Sequence, residues 1–139
     1  MELRHPDNLK EDQIMKGECR VYVSDQEAWI ITNAGLTVDD LEQFSEISDL
    51  HACAADGVII AARLITRIED DLRAKIEQAY RDLECADAAL TAGEAINGRG
   101  VLEYTATEID MLAARRADAY TGLAAACRTA AALLAPART

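Results

Sequence analysis

Bulky aromatic side chains are nearly missing from this chain: 139 residues hold one Trp, one Phe and four Tyr, an aromatic share of 4%. A core built without them has to be aliphatic and rich in alanine. That disfavours a wide globular centre and favours slender helices lying close together. Basic residues are scarce as well. The formal net charge is −11, and between positions 18 and 62 nine carboxylates stand against Arg20 alone. Direct nucleic-acid binding needs a basic surface for the phosphates and is therefore not expected. A protein partner with a basic surface remains open. No apolar run reaches the ~18 residues of a membrane span, and the longest, from Val58 to Ile65, is interrupted by Arg63.

Closely spaced metal ligands are absent too. Cys19, Cys53, Cys85 and Cys127 are far apart and no CxxC occurs, so a zinc site has no framework. With no signal peptide at the start, the cysteines are expected to be buried free thiols that pack as small apolar residues. A di-iron bundle needs Glu-x-x-His pairs on facing helices. Glu2 and His5 have that spacing, but Ser48 stands three residues before His51, where a second pair would need a Glu. His51 and Cys53 are two apart, which on a helix turns them to different faces. Nothing local joins a Cys or Ser to a base, as nucleophilic catalysis requires. Glu69-Asp70-Asp71 reads as a solvated helix face. Gly98-Arg99-Gly100 lacks the preceding strand of a phosphate-binding loop. No cofactor and no enzymatic activity are expected.

What is present is helical periodicity. The fold class expected is mainly α: a long antiparallel helical hairpin with an additional N-terminal helix and a small β-hairpin, in one domain spanning 1–139. Within the N-terminal extension, residues 1–36, a short helix after Pro6 closes near Gly17. Cys19–Val23 and Ala28–Thr32 are rich in β-branched and aromatic residues and read as two strands around Ser24-Asp25-Gln26-Glu27. A rival reading makes Ser24 and Glu27 a capping box, with Gly35 closing a short helix; the β-hairpin is preferred. Thr37 is the expected N-cap of an acidic helix over 37–56, with Asp39 and Asp40 in its first turn. Asp39, Glu42, Glu46 and Asp49 recur at steps of three, four and three, an acidic stripe along one face.

The longest seam comes next. Val58, Ala61, Ile65, Ile68, Leu72, Ile76, Ala79, Leu83, Ala86 and Leu90 are spaced three or four apart, which predicts a helix over 58–92 packed along its length. Glu69–Arg73, Asp71–Lys75 and Glu77–Arg81 have the spacing of supporting ion pairs. After a glycine-containing loop, Thr105 and Glu108 have capping-box spacing. A second seam of Ile109, Leu112, Ala119, Leu123, Cys127, Ala130 and Leu134 predicts a helix over 105–134 that stops before Pro136. Arg116 interrupts that seam and is expected to reach outward or to pair with an acid on the facing helix. The start of the longer helix is apolar nearly all round. With Trp29 and Ile31 it has more apolar surface than two helices cover, so the N-terminal region or a second subunit must form a third layer, and a homodimer is expected.

Together these features predict a cytoplasmic, non-enzymatic protein-binding module. It would be an acidic inhibitor, decoy or adaptor that docks on a macromolecular assembly, including one that binds nucleic acid. Small phage-encoded anti-CRISPR inhibitors exemplify such a role, although no motif here identifies one. Asp39, Glu42, Glu46 and Asp49 would steer the encounter, with Trp29 and Phe44 as aromatic anchors if exposed. The alternative is a self-assembling helical structural protein of phage or bacterial origin, in which the seams mediate assembly and the acids only confer solubility.

Overall fold

The computed structural model describes residues 22–138, with the backbone alone over 134–138. Four helices make up most of the described residues, and no strand occurs among them: α1 (Asp25–Asn33), α2 (Val38–Ile47), α3 (Asp49–Ala92) and α4 (Thr105–Arg138). The chain divides into two compact units. One comprises 22–62 and 123–138 of the described residues, and the other comprises 63–122.

Helix α1 replaces the second strand of the expected β-hairpin, while Cys19, Arg20 and Val21 of the first strand lie outside the described residues, as does the short helix after Pro6. Both ends of α1 are fastened. Ser24 Oγ accepts the Glu27 N–H at 3.1 Å, and Glu27 Oε1 accepts the Ser24 N–H at 3.0 Å. At the other end Gly35, with φ at 104°, turns the chain in the left-handed region. There the Leu36 N–H reaches Ile31 O and the Gly35 N–H reaches Thr32 O, which ties off the last carbonyls. Burial explains why β-branched preference lost. The neighbours Ile30 and Ile31 are both buried while Trp29 is exposed, a pattern that a strand's two-residue alternation cannot produce.

Thr37 caps α2 as expected, in a reciprocal pair with Asp40. The helix is shorter than predicted, however. Ser48 is extended (φ −166°, ψ 169°), and its Oγ accepts the His51 N–H at 3.2 Å. This hydroxyl ends α2 and caps α3, so the acidic helix stops at Ile47 and Asp49 opens the next one. Gly57 lies inside α3 without interrupting it. In this unit the buried side chains are Ile30, Ile31, Leu36, Leu41, Phe44, Ala55, Val58, Ile59, Ala62, Leu123, Cys127 and Ala130. In the apolar run at 58–65, Val58, Ile59, Ala62 and Ile65 are covered, while Ile60 and Leu64 stay exposed.

In the 63–122 unit the buried side chains are Ile65, Ile68, Leu112 and Ala119. Two cross-links join its helical segments: Arg116 Nε donates to Glu69 Oε2 at 2.7 Å, and Lys75 Nζ to Glu108 Oε1 at 3.1 Å. Three local expectations change here. Lys75 reaches Glu108 on the other helix, while Arg73 lies 3.4 Å from Asp70 and Arg81 donates to Gln78. The first bond of α4 runs from the Glu108 N–H to Tyr104 O, so the cap sits one residue before Thr105 and the Glu108 side chain is free for Lys75. And α4 passes Pro136 to end at Arg138, where the missing N–H and the ring's crowding of the carbonyl four residues back weaken only the last turn. Helix α3 closes on Gly93 (φ 73°), with Glu94 N–H on Ala89 O, as Gly35 closes α1.

Candidate functional site

The acidic face is built by what α2 buries. Leu41 and Phe44 are fully buried, three apart on one side of the helix. At 100° per residue, Asp39, Glu42 and Glu46 fall within an arc of about 60°, centred roughly 160° away from that pair. Asp39 and Glu46 are exposed and Glu42 half-buried. Asp49 is exposed as well, but it belongs to the first turn of α3, after the break at Ser48. The four-residue stripe is thus three carboxylates on one helix and a fourth beyond a bend. Asp49 there favours the α3 N-terminus through the helix dipole. No ion pair joins any of the four to a described base. The face can attract cations and basic side chains and repels phosphates.

Of the two expected aromatic anchors, one is available. Trp29 is 65% exposed on α1. Phe44 is 1% exposed, and its ring stacks on His51 at a centroid distance of 5.6 Å, so it holds the core together and is withdrawn as an anchor. His51 is equally occupied. Its Nε2 lies 3.3 Å from the Leu133 carbonyl, which can only accept, so Nε2 carries the proton and Nδ1, 2.7 Å from Ser48 Oγ, accepts from the hydroxyl. The ring links α2, α3 and α4 within this unit.

The cysteines are less uniform than expected. Cys127 is buried, but Cys53 and Cys85 are exposed free thiols. Burial pushes the Cys127 thiol above its ordinary range, away from the thiolate that a nucleophile needs. Among the described residues no three His, Cys, Asp or Glu side chains converge as a metal site would require, and no helix is long and apolar enough to cross a membrane.

A cluster in the 63–122 unit was only partly visible in the sequence. Arg116 bonds Glu69 and lies over the Tyr120 ring, 4.9 Å from its centroid, while Tyr120 Oη donates to Glu69 Oε2 at 3.4 Å. The bond to Glu69 raises the Arg116 pKa further, and partial burial, then the Glu69 charge, raises that of Tyr120. Arg116 betrayed itself by interrupting an apolar seam; nothing local marked its partners. The cluster fastens helices together, with Arg116 Nε and Tyr120 Oη both donating to Glu69 Oε2. Comparison with protein-family models, characterised proteins and solved structures finds no match for this chain.

Proposed function

We propose that this protein is an acidic protein-binding module, an inhibitor, decoy or adaptor that docks on the basic surface of a macromolecular assembly. Its framework is a long antiparallel hairpin of α3 and α4. Support for the hairpin is the reversed order of the cross-links: Glu69 with Arg116, then Lys75 with Glu108. The observation that carries the function is the outer face of α2, where exposed Asp39 and Glu46 and half-buried Glu42 lie on the side away from Leu41 and Phe44, with no described base paired to them. Exposed Trp29 on α1 offers an apolar, amphipathic contact of the kind that anchors interfaces. Charge of this kind raises association rate and partner choice more than raw affinity. A basic groove that normally holds phosphates would accept such a face in their place.

The test is capture with the full chain as bait, from the cell that naturally contains it, at low and at high salt. A basic partner should be recovered at low salt and lost as salt screens the contact. The double variant Glu42→Lys with Glu46→Lys should lose that partner while keeping its helical circular dichroism. Retention of the same partner by the variant would remove the acidic face from the account.

A second reading, self-assembly as a helical structural component, is favoured by a different observation: exposed Ile76, Tyr80, Leu83 and Leu90 on α3. Under it the same double variant leaves assembly intact.

A further inference from the structure

The seam along α3 is not used up. Ile65 and Ile68 are buried, but Ile76 is 38% exposed, Tyr80 65%, Leu83 48% and Leu90 62%. These four are spaced four, three and seven residues apart, and Asp87 occupies the intervening position. Arg73 continues the same row one step earlier. At 100° per residue the six residues fall within an arc of about 100°, a stripe roughly 25 Å long. Four large apolar side chains aligned in this way, in a stretch where half of the other positions are charged and most of the rest are alanine, are the seam of a coiled coil without its second strand.

We infer that this row is an interface with a second copy of the chain, in which the two α3 helices pair antiparallel about a two-fold axis close to Tyr80. The charges that bracket Ile76, Tyr80 and Leu83 select this occupant and this direction, with Leu90 lying beyond them. Arg73 and Asp87 each lie seven residues from Tyr80, on opposite sides. A two-fold axis there sets Arg73 of one copy against Asp87 of the other, and does so twice. The same axis brings Ile76 against Leu83 of the second copy, and Tyr80 against Tyr80. A self-complementary surface of this kind closes as a dimer instead of propagating as a filament. Parallel pairing would instead oppose Arg73 to Arg73 and Asp87 to Asp87. The Arg73–Asp70 contact at 3.4 Å does not compete strongly, since both side chains are well exposed and such pairs are weak. One flank opposes the pairing: Glu77 approaches Glu84 of the second copy, with Arg81 between them on each helix to offset the repulsion. The row lies outside the unit that carries the acidic face, so the inference holds whichever reading of that face is right.

The contact is short, so the dimer should be weak and dependent on concentration, forming at ~10–100 µM. Sedimentation velocity on the full chain tests it, with circular dichroism to confirm that each variant is folded. Tyr80→Glu should be a monomer throughout that range. Arg73→Asp and Asp87→Arg should each weaken association at least tenfold, and the double variant Arg73→Asp with Asp87→Arg should recover it, because the exchanged charges again meet across the axis. Glu77→Lys, which turns the flank repulsion into attraction, should tighten it several-fold. Sedimentation of the parent chain as a monomer at 1 mM would overturn the inference. A dimer that survives Tyr80→Glu would overturn the site, and failure of the double variant to recover would overturn the antiparallel pairing.

Discussion

Cys127 shows how one side chain records its surroundings. In the unfolded chain a thiol loses its proton near pH 8.5. Buried in the fold, Cys127 holds its proton to higher pH. Below about pH 8.5 both states are protonated and the residue makes stability neither rise nor fall with pH. Above it the unfolded state gives up a proton that the folded state retains, so stability falls as pH rises through the raised value. Tyr120 acts in the same direction from ~10 upward. The urea midpoint should therefore be flat from pH 7 to 8 and decline at more alkaline pH. Cys127→Val should flatten the decline between pH 8.5 and 10, whatever it does to stability at neutral pH. An unchanged slope in that variant would show that the thiol does not carry the effect. The pattern of buried and exposed residues on α4 made the burial of Cys127 legible in the sequence, since it stands three or four from Leu123 and Ala130. Exposure of Cys53 and Cys85 was not legible, because which side of α3 is covered depends on neighbours distant in sequence.

At the scale of the element, end chemistry outweighed internal propensity. Ala28–Thr32 has the composition of a strand, yet the Ser24 box and the Gly35 turn enclose it in a helix that buries Ile30 and Ile31 together. Both caps stand in the sequence; what was not visible was that a core waited for two adjacent isoleucines. Ser48 was missed for a related reason. The periodicity of Leu41, Phe44, Ile47 and Leu50 runs straight through it, and only the bond from the His51 N–H reveals the break. Two glycines test this account in opposite senses. Gly57 sits inside α3 with nothing within 4 Å of where a Cβ would stand. Gly57→Ala should therefore stabilise the protein by ~1 kcal/mol, the difference in helix propensity. Gly35 has equally open space but a φ of 104°. Gly35→Ala should destabilise by ~1 kcal/mol through backbone strain alone. Thermal melting of the two variants should move the midpoint in opposite directions, by ~4 °C each. A shift of the same sign in both would contradict the assigned conformations.

At the scale of the whole molecule, burial is unequal between the two units. The unit containing α1 and α2 has an aliphatic core with Phe44 at its centre. In the other, the described buried side chains are Ile65, Ile68, Leu112 and Ala119, and none lies beyond Ile68 on α3. Local opening costs little where few apolar contacts must break. Amide exchange should therefore be slow at 58–68 and faster, by orders of magnitude, at 80–92 in dilute solution. Uniform protection along α3 would mean that the far segment is held by something other than its own packing. Raising the concentration into the range of the proposed dimer should slow exchange at 76–90 and leave 50–60 unchanged.

The sequence alone determined that the chain is mainly helical, where α2 and α4 begin and where α3 ends, and that its net charge is acidic. Capping boxes, terminal glycines and periods of three and four act between residues close along the chain, so they are written there in full. Tertiary structure alone decided that Phe44 lies inside with His51 stacked on it, that Trp29 lies outside, that Glu69 receives Arg116, and that the apolar row of α3 goes from covered to bare. Those outcomes depend on which surfaces meet across distant stretches of chain. A residue's spacing specifies its direction from the helix axis but not what stands opposite it.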